Sequence, residues 1–367
     1  METNNVSVLL TGGAGFIGCA VARRLIAARH GEVTVVDLLH PQVHAGQRVP
    51  PLLPAEVRFI PFDVTVRSAW VSLLRAIAPD CIVHLAAETG TAQSLSEASR
   101  HASTNVVGIA RLLDALLEAD AIPRHLVVIS SRAVYGEGVW QSGSDRFSPG
   151  PRRHEDLLRA QWNPKFREGG PEAVPLPMRA DSTPANPTSI YGATKLAQEH
   201  MARAWAAATD CPLSILRLQN VYGPGQSLTN PYTGIVPLFA AAARRGEAIE
   251  VYEDGLINRD FVYIDDAAWA IARCVTEPAS GCRVLDIGAG KATTLLELAN
   301  RIADSFAAPP PRVTGAFRDG DVRSAWADIG VTAAELGFSP RWDLADGLSA
   351  FLEWMESCAR LSGDLDD

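Results

Sequence analysis

The chain predicts an α/β protein: a doubly wound parallel sheet covered by helices on both faces, followed by a smaller, mixed α/β C-terminal lobe. Short apolar runs alternate with helical stretches through the first half. A glycine-rich turn joins the first apolar run to the first helix, and the second half loses this regularity. No repeat of 20–50 residues is visible, which excludes a solenoid.

Val6 to Leu10 is the first strand and Phe16 to Arg29 the first helix. Strands are expected at Val33 to Val36 and Val57 to Ile60, then a helix over Arg67 to Ile77. Cys81 to Leu85 and Leu126 to Ile129 are further strands, separated by a helix over Asn105 to Glu118. Val139 to Pro187 is rich in Pro, Arg, Gly and Ser and has poor periodicity. A helix over Ile190 to Ala208 and a strand over Leu213 to Leu218 follow, then a helix over Gly234 to Arg245. Ile249 to Tyr252 and Phe261 to Ile264 read as strands, and Thr294 to Phe306 and Ala345 to Ala359 as helices of the C-terminal lobe. The expected division is a dinucleotide-type domain at 1–218, carrying an insertion at 139–181 and completed by 259–290, with the lobe at 219–258 and 291–367.

Of 367 residues, 47 % are hydrophobic and 20 % charged, which suits a globule rather than a disordered chain. A net charge of −9 argues against nucleic acid, so any phosphate site must be built locally from amides and a few arginines. No apolar run reaches the ~18 residues of a membrane span. Met1 to Ser7 lacks the basic flank and apolar core of a secretory signal. Cys19, Cys81, Cys211, Cys274, Cys282 and Cys358 are scattered, with no C-x-x-C and no His cluster nearby. Reduced thiols, no metal and a cytoplasmic location are therefore expected.

Gly12, Gly15 and Gly18 form G-x-x-G-x-x-G between a strand and a helix that opens at Phe16 and Ile17. That spacing permits a tight turn and a close backbone approach, with a diphosphate on the free amides of the helix N-terminus. This is the fingerprint of a Rossmann-type sheet. Asp37 closes the second strand, where a carboxylate accepts from adenosine ribose hydroxyls and repels a 2′-phosphate. Leu38 and Leu39 supply no arginine for such a phosphate, so NAD is favoured over NADP. Asp63, beside Val64 after the third strand, suits the adenine amino group or equally a helix N-cap. Leu85, Ala86 and Ala87 follow the fourth strand and complete the expected cofactor wall.

Tyr191 and Lys195 lie four apart, on one face of a helix. Phenolate at neutral pH needs about 4 kcal/mol of preferential stabilisation, which a nearby ammonium and an oxidised nicotinamide can supply. A hydroxyl is expected at the end of the fifth strand, where Ser130 and Ser131 stand.

These motifs together resemble the extended short-chain dehydrogenase/reductase family of nucleotide-sugar epimerases and dehydratases over nearly the whole chain. The resemblance runs through TGGAGFIG at Thr11, HLAAETG at His84, NVVG at Asn105, SSRAVYG at Ser130 and YGATK at Tyr191. It continues through LRLQNVYGPG at Leu216, RDFVYIDD at Arg259 and RDGDVRSAWAD at Arg318. It implies Ser131, rather than Ser130, as the catalytic hydroxyl, Tyr191 as proton acceptor and donor, and Lys195 as its partner and ribose anchor. Tyr191 and Lys195 thereby also join the NAD-binding set. Asn105 resembles the helix asparagine that supports the lysine through water, the alternative being burial between helices. Asn220, Arg259 and Arg318 resemble the groups that bind the sugar-nucleotide diphosphate. Arg323 is a weaker candidate for the same role, with a surface salt bridge as the favoured alternative. Thr89, Gln93 and Ser94 could touch the hexose or simply cap a helix, with Thr89, Ser131 and Arg132 taken as substrate contacts.

The 4,6-dehydratases of this family need an Asp-Glu pair directly after the catalytic hydroxyl. Arg132 and Ala133 stand there and can act as neither acid nor base. Hydride chemistry alone remains: a C4 epimerase or a 4-ketoreductase. DLLHPQVH, SSRAVYGEG and QNVYGPGQSLTNPYTG resemble the subgroup that interconverts dTDP-L-rhamnose and dTDP-6-deoxy-L-talose. A non-catalytic NAD sensor on the same fold would predict a damaged Ser-Tyr-Lys set, and here it is intact. The family implies a homodimer through the helices at Asn105–Glu118 and Ile190–Ala208, with Leu112, Leu113, Leu116 and Leu117 supplying apolar surface. The segment from Val139 to Asp181 carries Trp140, Phe147, Leu157, Leu158, Trp162 and Phe166, too apolar for a linker. It is expected to be an ordered flap over the sugar side of the cleft.

Overall fold

The computed structural model describes residues 6–167, 169–228, 230 and 234–362, with the backbone alone at 45, 361 and 362. Residues 1–5, residues 229 and 231–233 of the QNVYGPGQSLTNPYTG stretch, residue 168 of the insertion and 363–367 lie outside it.

Seven strands form one parallel sheet: β1 (Val8–Thr11), β2 (Val33–Asp37), β3 (Arg58–Pro61), β4 (Cys81–His84), β5 (His125–Ser131), β6 (Leu213–Leu218) and β7 (Cys282–Ile287). Their spatial order is β7-β6-β5-β4-β1-β2-β3. The chain runs outward from β1 to β3, then crosses back to β4, and the crevice opens at that reversal, beyond the strands' carboxyl ends. Strand alternation sorts side chains to two faces: Val8 and Leu10 go to one core, Leu9 to the other. Helices α1 (Phe16–Ala27) and α5 (Ile264–Thr276) cover the first face. Helices α2 (Arg67–Ile77), α3 (Gly108–Glu118) and α4 (Ile190–Thr209) cover the second, with Trp70, Leu74, Leu112, Leu116 and Ala202 buried beneath them.

Three elements depart from expectation. The helix before Glu118 does not begin at Asn105. A π-helical turn at Ser103–Val107 precedes α3 and continues from a helical turn at Ala98–Ala102. Such turns rotate one residue out of register, here the fully buried Asn105. The strand at Phe261–Tyr263 pairs with Asn220–Tyr222 rather than entering the main sheet, and Ile264 opens α5 instead of closing the strand. The strand read at Ile249 to Tyr252 shrinks to Glu250–Val251, paired with Arg312–Val313.

The insertion is folded. Trp140–Ser142 pairs antiparallel with both Asp145–Phe147 and Ala173–Pro175, and a helical turn spans His154–Leu158. Trp140 and Leu157 are buried. The segment packs on the chain at Phe317–Asp328: the Trp162 and Phe317 rings lie 6.2 Å apart, Arg179 pairs with Asp328, and Met178 bridges to Ala327. None of its described residues lines the crevice. The expected flap is therefore corrected to a buttress, because its apolar side chains found partners in the lobe rather than over the cleft.

None of the described helices is long and apolar enough to cross a membrane. Among the described residues no group of His, Cys, Asp or Glu is placed to hold a metal, and no disulfide joins any of the six cysteines.

Candidate active site

The crevice encloses about 600 Å³ and is walled by the ends of β1, β2, β4, β5 and β6. Its floor is the glycine turn. Gly12 has φ +66°, and a Cβ there would stand 2.7 Å from the Ala86 backbone. A Cβ on Gly18 would meet the Gly13 backbone at 2.5 Å, so α1 can sit this close only with glycine. Gly15 caps α1 without any side-chain hydrogen bond, leaving the helix's first amides open beside Phe16 and Ile17 for an anion.

Asp37 lies at the mouth, its carboxylate accepting from the amides of Ala14 (3.1 Å) and Leu39 (2.8 Å). Those bonds fix it in position for a ribose. Asp63 lines the crevice with Val64 and does not cap α2, which Val66 opens without a side-chain bond; its carboxylate accepts from the Thr65 amide at 2.8 Å in the turn before the helix. Leu85, Ala86 and Ala87 form the opposite wall. Behind them His84 is buried, bonded through Nδ1 to Thr11 Oγ1 at 2.8 Å, with Nε2 unpartnered. Burial, then the Lys195 charge, push its pKa down to about 3, so the ring is neutral.

The two serines of β5 separate cleanly. Ser130 is buried and donates to Glu199 at 2.5 Å, while Ser131 lines the crevice and is hydrogen-bonded to the Tyr191 phenol. Burial raises the Tyr191 pKa, and the Ser131 bond and the Arg132 charge pull it back. Burial pushes Lys195 down to about 7, while Glu199 opposes it. The ammonium donates to Gln198 Oε1, a partner absent from the sequence reading. Glu199, two turns along α4 from Tyr191, is held by Arg217 through bonds of 2.9 and 2.7 Å. Arg217 covers the Tyr135 ring, and Tyr135 donates to Asp286 at 2.8 Å. The Tyr191–Lys195–Glu199 spacing at every fourth residue was the signal for this buried row.

Burial pushes the Asp286 carboxyl up to about 7, against the Tyr135 bond and the Arg217 charge. A carboxyl raised on folding contributes stability below about pH 4 that is lost as the pH rises through about 7. Asp286→Asn stays neutral throughout, so it should remove about 4 kcal/mol of that pH-dependent loss, read from melting curves between pH 4 and 8. Parallel slopes in the two proteins would refute this.

Asn105 exchanges bonds with the Glu88 backbone (2.8 and 3.0 Å) and donates to Thr194 Oγ1 (2.9 Å). It thus ties the end of β4 to the turn of α4 that carries Lys195. Thr89 lines the crevice; Gln93 and Ser94 do not, and Ser94 Oγ instead accepts from the Tyr191 amide at 3.1 Å. Arg132 and Asn220 line it together, the Arg132 Nε donating to Asn220 Oδ1 at 2.9 Å. Arg259 is buried next to Arg132, its Nη1 donating to the Asn258 carbonyl. Arg318 is a correction: it is exposed, its guanidinium 5.1 Å from the Tyr252 ring centre, and it does not line the crevice. Arg323 is another: it is buried, paired with Glu253 and Asp254.

With this geometry in place, the model of the NAD dependent epimerase/dehydratase family matches residues 8–164 and 168–288. The chain belongs to that family. It is 52 % identical over 349 residues to a dTDP-L-rhamnose 4-epimerase of Burkholderia thailandensis, covering 95 % of this chain and 94 % of the relative. A UDP-glucose 4-epimerase of Mycolicibacterium smegmatis is 30 % identical, with 95 % and 98 % covered. Among solved structures, the dTDP-glucose 4,6-dehydratase DesIV of Streptomyces venezuelae, with NAD bound, superposes with a TM-score of 0.77 at 28 % identity, covering 96 % and 98 %.

The family's cofactor fits this crevice. The glycine floor, the open N-terminus of α1 and the fixed Asp37 are what an adenosine diphosphate requires. The orphaned His84 Nε2 lies behind the inner wall. At the two positions after Ser131 the chain carries Arg132 and Ala133, and neither offers a carboxylate.

Proposed function

We propose that the chain is a nucleotide-sugar C4 epimerase acting on a dTDP-6-deoxyhexose such as dTDP-L-rhamnose or dTDP-6-deoxy-L-talose. The observation that carries this is Ser131 against Tyr191, with Arg132 rather than an acid next in the chain. Bound NAD supplies an acceptor for the C4 hydride that can give it back. Tyr191 takes the proton of the C4 hydroxyl across its bond with Ser131 and later returns it. Lys195 lines the crevice one helical turn from Tyr191, its ammonium lowered by burial to about 7 with Glu199 opposing, so it can hold or give up a proton near neutral pH. Arg132 and Asn220 hold the sugar nucleotide by its polar edge and leave the hexose free to present either face. With no acid or base at 132 or 133, elimination has no proton path, and the only outcome is inversion or reversal.

Incubation with a panel of nucleotide sugars and no added cofactor, read by NMR for C4 configuration, tests this. Inverted product is expected from the dTDP-6-deoxyhexoses. Turnover only with added NAD(P)H, consuming a 4-keto sugar, would make the chain a ketoreductase instead.

The same reading includes a homodimer, a cytoplasmic location and the domain division by residue number given above. Leu112, Leu113 and Leu116 turn into the core, so α3 offers Leu117, with Val107 before it, as its exposed apolar surface.

A further inference from the structure

The loop after β2 and the loop after β4 flank the glycine turn from opposite sides, since β1 pairs with both strands. These loops are bonded to each other across the crevice. The Gln42 and Gln93 side-chain amides exchange hydrogen bonds of 3.0 and 3.1 Å. Arg100 donates to Gln42 Oε1 (2.9 Å), Glu88 (2.7 Å) and Glu97 (2.6 Å). Gln93 also donates to Glu97 at 2.9 Å. Gln42 and Glu88 line the crevice, whereas Gln93 and Arg100 stand behind them and line none of it.

We propose that this Gln42–Gln93–Arg100–Glu88 cluster is a latch across the dinucleotide crevice, and that breaking it is the step that lets the cofactor leave. It rests on NAD as the family's cofactor and is independent of which sugar is used. A dinucleotide lying over the glycine turn, with its adenosine at Asp37 and its nicotinamide toward Tyr191, passes beneath the Gln42–Gln93 bridge. Release therefore requires parting the charge-assisted Arg100–Gln42 contact and the Gln42–Gln93 amide pair at once, and hydrogen bonds of that kind slow dissociation more than association. Gln93 and Arg100 act through Gln42 and Glu88 and are positioning residues. An enzyme that takes and returns one hydride in one site is served by such slow exchange.

The experiment uses Arg100→Met and Gln93→Ala, neither of which removes a crevice-lining group. Protein loaded with NADH is chased with excess NAD and followed by fluorescence, and the NAD carried through purification is measured after acid release. Release is expected to be about tenfold faster in Arg100→Met and severalfold faster in Gln93→Ala, with purified protein carrying less than one NAD per chain. Turnover of fully loaded variants should match the wild type. A contact that only stiffens loops would lower the melting temperature and leave release unchanged, and that result in either folded variant overturns the proposal. Wild-type protein that exchanges NADH as fast as the variants overturns it as well. If Arg100→Met does not fold, Gln93→Ala decides alone.

Discussion

Tyr191→Phe is expected to cut turnover by about 10²–10⁴-fold while the purified protein still carries its NAD. The phenol is the proton-transferring group set against Ser131 in the crevice. Lys195 is tied to Gln198, and His84 is neutral and turned to Thr11. Cofactor binding rests on other residues, the glycine floor and Asp37, which the substitution leaves alone. Steady-state rates from NMR of the product mixture, with NAD quantified after acid release, check both halves. Turnover above a tenth of wild type would remove Tyr191 from the chemistry. Loss of NAD together with turnover would point to a structural role instead.

The parts of this site that were legible in the sequence are those built from short, patterned segments. Leu213–Leu218 and Arg67–Ile77 occur at their expected boundaries because a fully buried strand and an amphipathic helix each impose a period on their own residues. The glycine turn was legible because backbone closeness excludes every other residue. What stayed hidden depends on partners distant in the chain. Helix α5 is buried along most of its length, and its outer stripe of Asp265, Trp269 and Arg273 is narrow and interrupted by an aromatic ring. The resemblance chose Ser131 over Ser130, but what occupies Ser130 was hidden, because its partner Glu199 stands on another element. The arginines were least legible. Arg318 and Arg323 occur in one motif, yet one is exposed and the other buried among carboxylates, because Glu253 and Asp254 come to Arg323 from far along the chain. The insertion's fold was hidden for the same reason: its apolar residues announced order, but not which surface they would cover.

Arg152→Ala should destabilise the protein by about 3–5 kcal/mol, since it removes one cation from a buried ionic cluster and leaves two carboxylates facing each other. The Arg152 side chain, 4 % exposed, lies 3.2 Å from Glu137 and 2.8 Å from Glu253, and it also donates to the Asp321 carbonyl at 2.8 Å. It is the bolt by which the insertion holds the lobe. Glu137 is already raised to about 7 by burial, with Arg152 the foremost opposing charge, so loss of that charge raises it further. A carboxyl raised on folding contributes stability at acid pH that is lost as the pH climbs through its folded pKa. The deficit of Arg152→Ala should therefore be smaller at pH 5 than at pH 8, and Arg152→Ala with Glu137→Gln should narrow that difference. Urea denaturation at the two pH values measures it. A variant of wild-type stability but altered turnover would show the segment to be a moving flap after all. The buttress requires the reverse, because charges buried this deeply cannot part and reclose with every catalytic cycle without meeting the full desolvation penalty each time.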